Sequence, residues 1–334
     1  MASINLYFRI PFQNDRFVKG DRYLLWLLKK LFRKKRTSGI EKVFVNLCKG
    51  LDELNIDYTI NKPFQKINTG EPVVVLGSGK YALNGYQQSN PIIAGIGLMT
   101  HPNEWPTLFE EYPVAKYLQH SAWTDHIYAA RFGPEKCAVW PAGIETGRWA
   151  PNAGIAKQTD FLIYNKMMWN KADTDINLRI PLLQKLDEAG FTYREIVYGN
   201  YTEAEYVNLL QTCRAMIFLC EHESQGFACC EAMAMNVPVL AWDQGYWLDP
   251  NRFMWDDPEV KATSVPFFDE RCGLRFKDFD EFKARLEPFW KGVAENTFAP
   301  RAYILQTLTL KKSAEMMLGI IDEVYKTDYL KAAL

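Results

Sequence analysis

The segment from Ala215 to Trp242, AMIFLCEHESQGFACCEAMAMNVPVLAW, constrains the fold more than any other part of the chain. It opens with a short apolar run, Ala215 to Cys220, and closes with another, Val237 to Trp242, each with the length and enrichment of a buried strand. Between them, Glu221 to Gln225 is polar and acidic and reads as a loop. Gly226 to Met235 has no Pro, no β-branched residue and five alanines or methionines, which predicts a helix. Asn236 and Pro238 stop that helix.

A strand, a loop and a helix N-terminus together make an anion site, because the first N–H groups of a helix lack intrahelical partners and its dipole adds partial positive charge. Here those donors belong to Gly226, Phe227 and Ala228, and Gly226 allows a ligand close to the backbone. Two carboxylates, Glu223 and Glu231, flank the same turn, and carboxylates beside a bound anion need hydroxyl partners. A ligand with phosphates in its middle and sugars at its ends meets both demands. A nucleotide sugar is such a ligand.

Glu223, seven intervening residues and Glu231, then Ala232-Met233-Ala234 and, after Asn236, Val237-Pro238-Val239, resemble the donor-site signature of family-four retaining glycosyltransferases. The resemblance is tight over about twenty residues. It implies the GT-B fold: two Rossmann-like doubly wound α/β domains with an interdomain cleft. It also implies that Glu231 holds ribose hydroxyls, that Glu223 sits near the donor sugar as a catalytic candidate, and that Ser224, Gly226, Phe227 and Ala228 line the donor.

The second half of the chain alternates as this fold requires. Strands are expected at Asp160 to Tyr164, Tyr193 to Tyr198, Ala215 to Cys220 and Val237 to Trp242, with helices at Leu178 to Ala189 and Glu203 to Thr212 between them. That order gives a parallel sheet with helices on both faces and ligands outside the carboxyl ends of the strands. After the first of these strands the family carries an Arg and a Lys that grip the diphosphate. Here Lys166 and Lys171 take those places, with Asn165-Lys166 where Gly-Arg is usual and no Gly after Lys171. Lys171 is a catalytic candidate as well as a donor ligand.

Asp173-Thr174-Asp175 and Asp278-Phe279-Asp280 have the Asp-x-Asp spacing that another glycosyltransferase fold uses for a divalent ion. Each precedes a helical pattern, Leu178 to Ala189 or Phe282 to Trp290, where acids act as caps, so no metal site is expected. Gln244 to Arg252 reads as an aromatic, glycine-bearing loop. Phe282 to Val293 and Arg301 to Tyr325 read as the closing helices.

The first half has the same grain. Ile4 to Phe12, Tyr58 to Asn61, Val73 to Leu76 and Tyr117 to His120 read as strands, Pro91 to Met99 as strand and turn, and Ile40 to Asn55 and Ser121 to Phe132 as helices. Gly77-Ser78-Gly79-Lys80 is not a Walker loop, since Val74 stands where Gly is needed and Tyr81 where Ser or Thr is needed. Nor is it a dinucleotide fingerprint, because Gly85 is too distant. It reads as a tight turn. In related enzymes a histidine after an N-domain strand reaches the donor sugar, which makes His101, one of only four histidines, the third catalytic candidate. The polar stretch Pro151 to Gln158 marks a boundary, giving an acceptor-binding domain over 1–150 and a nucleotide-sugar-binding domain over 151–334, whose last helix packs back on the first.

A formal net charge of -1 argues against general nucleic-acid binding. Seven cysteines without a paired framework point to a reducing compartment, and the N-terminus has no long apolar signal-peptide core, so a cytoplasmic protein is expected. Asp21 to Arg36 reads as a helix whose end is strongly basic, six of the eight residues from 29 to 36 being Lys or Arg. That end is either a solvated face or a peripheral contact with anionic membrane. The expected activity is transfer from a nucleoside diphosphate sugar to a glycan or lipid-linked acceptor, as in polysaccharide biosynthesis, with no cofactor beyond the donor substrate. A nucleotide-sugar 2-epimerase and a catalytically silent nucleotide-sugar binding protein are the alternatives.

Overall fold

The computed structural model describes residues 2–11, 39–255 and 259–334. The expected basic helix at 21–36, with the lipid contact read at 29–36, lies outside the described residues. The chain divides into two compact units, one of Met1–Gln119, Ile127–Trp140 and Ala314–Leu334, the other of His120–His126 and Pro141–Ser313.

The first unit holds strands β1 (Ile4–Arg9), β2 (Tyr58–Ile60), β3 (Val73–Gly77), β4 (Ile92–Gly95), β5 (Val114–Gln119) and β6 (Cys137–Val139). They form one sheet in the order β2-β1-β3-β4-β5-β6, every pair parallel. β3 and β4 are buried along their whole length, which is why their sequences are unbroken apolar runs rather than alternating ones. β3 closes against β1 so tightly that a Cβ on Gly77 would lie 2.2 Å from the Arg9 carbonyl oxygen. The turn after β3 is the tight one expected, with Gly79 at φ 63° leading into a 3-10 turn over Lys80–Leu83. Helix Gly39–Glu53 buries Val43, Phe44, Leu47 and Leu51 along one face. At the chain's end, the Tyr325 hydroxyl accepts from Val73 N–H at 3.1 Å and donates to the Pro91 carbonyl, and Lys116 pairs with Glu323 at 2.7 Å.

The second unit holds β7 (Thr159–Lys166), β8 (Tyr193–Val197), β9 (Cys213–Cys220), β10 (Val239–Trp242) and β11 (Gly273–Phe276) in the order β11-β10-β9-β7-β8, again all parallel. Alternate residues of each strand feed two separate cores. Leu162, Tyr164, Met216, Phe218 and Val239 pack on one face of the sheet, while Phe161, Ile163, Ile217, Leu219 and Leu240 pack on the other. Helices cover both, as the alternating pattern requires.

Three expectations about elements need correction. The helix expected from Leu178 begins at Lys171 and passes through a π turn over Asp175–Arg179 before Ile180–Glu188. Pro181 has no N–H to continue an α ladder, and the wider turn ahead of it absorbs the missing bond. In consequence Asp173 and Asp175 are not caps but lie inside the first turns, Asp173 accepting from the Asn177 amide at 2.9 Å and Asp175 lying 3.5 Å from Arg179. Asp278 does cap its helix, accepting from Glu281 N–H at 2.9 Å. The helix expected over Arg301 to Tyr325 is two, Pro300–Thr307 and Leu310–Tyr325. The break falls where Ile144 N–H donates to Leu308 C=O at 2.7 Å and Ile144 bridges Thr309. Among the described residues no helix is long and apolar enough to cross a membrane.

Candidate functional site

In the second sheet the strand order reverses between β7 and β9, and the crevice outside the carboxyl ends at such a point is where open α/β sheets bind ligands. β7 delivers Lys166 to that place and β9 delivers Glu221, His222 and Glu223. Lys166 Nζ meets Glu223 Oε1 at 2.5 Å, with 20% and 15% of the two side chains exposed. The ammonium also lies 4.7 Å from the centre of the Tyr198 ring. Burial works against the charge on Lys166, but Glu223 overcomes it and raises the lysine's pKa, so the ammonium stays protonated. Glu223 is held in turn through its backbone: its N–H donates to Thr263 C=O at 2.9 Å, and its C=O accepts from the Trp123 indole at 2.8 Å.

Gly226 follows in the left-handed region, φ 69° and ψ 47°, where a side chain would be strained, and it turns the chain into helix Phe227–Ala234. The first intrahelical bond runs from Cys230 N–H to Gly226 C=O, so the N–H groups of Phe227, Ala228 and Cys229 precede the ladder. Glu231 sits one turn in and is 5% exposed. Asn236, at φ 58°, ends the helix with Val237 N–H bonded to Ala232 C=O and Asn236 N–H to Met233 C=O, a Schellman motif. The Arg301 guanidinium closes the same end, donating to the carbonyls of Ala234, Trp149 at 2.9 Å and Thr146 at 3.2 Å. A cation there complements the helix dipole.

Glu221, almost wholly buried, shapes the neighbouring loop. Its carboxylate accepts from Met168 N–H and Trp169 N–H, each at 2.9 Å. Burial pushes its pKa up, against the pull of those donors. Asn165 completes the turn by accepting from Met167 N–H at 3.2 Å and donating to Glu195 at 2.9 Å, and Glu195 is gripped by Arg179 at 2.5 and 2.7 Å. Asn165 therefore holds the loop that leads from Lys166 towards Lys171. His222 lies edge-on to Trp123 and Trp247, with ring centres 6.0 and 6.4 Å away. Burial drives its pKa down to about 4, so the imidazole is neutral.

The structure thus joins Lys166 to Glu223 directly and sets Gly226, Phe227, Ala228 and Glu231 on the turn and helix that follow. Ser224 is on the same turn and exposed. Lys171 starts its helix, exposed, and makes no ion pair among the described residues. His101 lies in the first unit, 3% exposed, where its Nδ1 accepts from Asn103 N–H at 3.2 Å and caps a 3-10 turn. Sequence reasoning missed Glu221, Gln225, Asp243 and Arg301. Gln225 bonds both the N–H and C=O of Ala142, at 2.8 and 3.1 Å, while Asp243 receives Thr263 and Ser264 at 2.8 and 3.0 Å. Among the described residues no three His, Cys, Asp or Glu side chains converge as a metal ion would require.

No protein-family model and no curated protein sequence matches the chain. Solved structures do. AviGT4, a glycosyltransferase involved in avilamycin A biosynthesis, matches over 97% of this chain and 98% of its own, with a TM-score of 0.57 and 14% identity. The N-terminal domain of Candida albicans trehalose-6-phosphate phosphatase matches over 94% and 84%, with a TM-score of 0.51 and 10% identity. A structure of accessory secretory protein 1,2 and 3 in Streptococcus pneumoniae matches over 81% of this chain and 56% of that one, with a TM-score of 0.50 and 9% identity. At such identities the likeness is one of fold, and the fold is GT-B: two Rossmann-like α/β units, each built on a parallel sheet.

Proposed function

We propose that the chain is a retaining, metal-independent glycosyltransferase that moves a sugar from a nucleoside diphosphate sugar to a glycan or lipid-linked acceptor. The observation that carries this reading is the Lys166–Glu223 pair at a switch point, on the turn that opens into helix Phe227–Ala234. Carboxylates able to accept from hydroxyls and donors able to hold a phosphate lie on the same turn and helix. In this reading Glu231 accepts from the ribose hydroxyls and Glu223 from a hydroxyl of the donor sugar, while the helix N–H groups and Lys166, with Lys171 nearby in sequence, take the diphosphate. The bond from the anomeric carbon to the phosphate oxygen breaks with its electron pair going to the diphosphate. The acceptor hydroxyl bonds to that carbon from the same face, and its proton leaves with the released diphosphate. Preorganised donors favour this step because they face the oxygen on which charge builds.

A thermal-shift panel of UDP, GDP, ADP and CMP sugars tests the reading. One donor should raise the melting temperature by mass action, contributing about 2.7 kcal/mol at 100 times its Kd. Glu231→Gln should weaken that donor by about 1.5–3 kcal/mol, the scale of a hydrogen bond to a charged group. A panel in which no nucleotide sugar stabilises the fold, or a folded variant with undiminished affinity for the free nucleoside diphosphate, would refute it.

A further inference from the structure

Glu221 is the acid of the crevice to which glycosyl transfer gives no task. It follows β9 directly, two residues before Glu223, and is 1% exposed. Both of its carboxylate oxygens accept: Oε1 from Met168 N–H and Trp169 N–H at 2.9 Å each, and Oε2 from Met168 N–H at 3.1 Å. Its own backbone is held as well, the Gln244 amide donating to its C=O at 3.1 Å. Lys166 pairs with Glu223 rather than with Glu221, which has no ion pair among the described residues.

A buried charge without a counter-ion is costly, and a neutral side chain could accept from the same two N–H groups. What the carboxylate adds is strength, since hydrogen bonds to an ionised acceptor are roughly twice as strong as neutral ones. That strength bears on one segment. Met168 and Trp169 lie between Lys166 and Lys171, so Glu221 ties the loop after β7 to the loop after β9. It also takes two N–H groups that a phosphate could otherwise use, which leaves the lysines as the donors of this loop.

The segment is fixed on either side of this tie. Asn165 and Arg179 both bond Glu195, at 2.9 Å and at 2.5 and 2.7 Å, which holds the strand end and the helical segment that follows. Asn170, at φ 47° and ψ 38°, turns the chain from Trp169 into that segment at Lys171. A non-glycine residue keeps this left-handed conformation only where its surroundings impose it. Lys171 therefore has a fixed backbone and an exposed side chain, which makes no ion pair among the described residues.

We propose that Glu221 is a positioning residue: by anchoring Met168 and Trp169 it sets Lys171 where a diphosphate held in the crevice meets it. The inference rests on the glycosyl-transfer reading for the presence of a diphosphate. Calorimetric titration of the full chain with inorganic pyrophosphate, without added metal, tests it. Glu221→Gln, which keeps the shape but loses the charge, should weaken pyrophosphate about 5-fold or more, the scale of a lost hydrogen bond. Lys171→Ala should weaken it at least as much. In the Lys171→Ala background Glu221→Gln should cost less than about 2-fold, the margin within which unconnected sites simply add. The Met168 and Trp169 amides should exchange with deuterium about 10-fold faster in Glu221→Gln, as a loosened loop requires. Faster exchange with unchanged pyrophosphate affinity would make Glu221 a structural brace only and overturn the proposal. So would a loss that is undiminished in the Lys171→Ala background, or a wild type that does not bind pyrophosphate. If Glu221→Gln is unfolded by circular dichroism, Lys171→Ala, at an exposed position, decides alone: wild-type affinity there overturns the proposal, and weakened binding upholds it. Pyrophosphate carries neither sugar nor base, so a nucleotide-sugar panel without a hit would remove the donor reading and leave this result standing.

Discussion

His222 shows how a residue at the crevice is tuned by what surrounds it. Burial lowers its pKa from 6.5 to about 4, with Lys166 and Arg252 pushing the same way and Asp249 opposing them. Between those two values the unfolded chain binds a proton that the folded chain refuses, so stability falls as pH drops through that window and His222 contributes fully only above 6.5. His222→Phe should therefore flatten the fall in melting temperature between pH 6.5 and 4 while leaving the profile above 6.5 parallel to wild type. An imidazole NMR midpoint near 6.5 in the native protein would contradict the burial argument. Residues of this kind were not legible in the sequence. Glu223, Gly226 and Glu231 stood out because their spacing carries a chemical demand of its own. Glu221, Gln225 and Asp243 instead serve backbone groups brought to them by the fold, Met168, Ala142 and Ser264 among them, and no local pattern announces such partners.

At the scale of the element, helix Phe227–Ala234 was readable from its composition and its two stops, and the Asn236 cap is the one its sequence implies. The other half of its C-terminal closure was invisible, because Arg301 comes from far along the chain to take the Ala234 carbonyl together with those of Trp149 and Thr146 in another segment. Arg301→Ala should cost about 2 kcal/mol or more, since hydrogen bonds from a charged group contribute about 1.5–3 kcal/mol and the carbonyls would be left inside the unit. Arg301→Lys should recover less than half of the loss, because an ammonium cannot span three acceptors as a planar fork does. Urea denaturation of the two variants decides this, and a loss under about 0.5 kcal/mol for the alanine variant would show the cap to be idle. The elements that escaped the sequence reading have the same origin. β11 is a short run, half-buried in part, that becomes a strand only by pairing with β10, and the break at Leu308 is set by Ile144 from the other end of the unit.

At the scale of the whole molecule, the alternation of apolar strands and amphipathic helices was enough to give two doubly wound sheets, because right-handed crossovers leave few other ways to bury both faces of a parallel strand. The order of strands then decides where chemistry can happen, and in the second unit it places Lys166 and Lys171 in unequal positions. Lys166 is tethered to Glu223 and stacked on Tyr198, whereas Lys171 is exposed and without an ion pair among the described residues. Charge on a leaving diphosphate grows as the glycosidic bond breaks, and a group already held in place stabilises that charge without reorganising. Lys166→Ala should accordingly lower kcat about 100- to 1,000-fold, the usual effect of deleting one preorganised charge-stabilising group. Lys171→Ala should lower it only about 10-fold, since a solvated lysine must be ordered before it helps. Steady-state kinetics in donor, at saturating acceptor and with the fold confirmed by circular dichroism, separates the two. A Lys166→Ala enzyme whose KM rises while kcat stays at the wild-type value would mean that the lysine only helps the donor bind, and its leaving-group role would have to be abandoned.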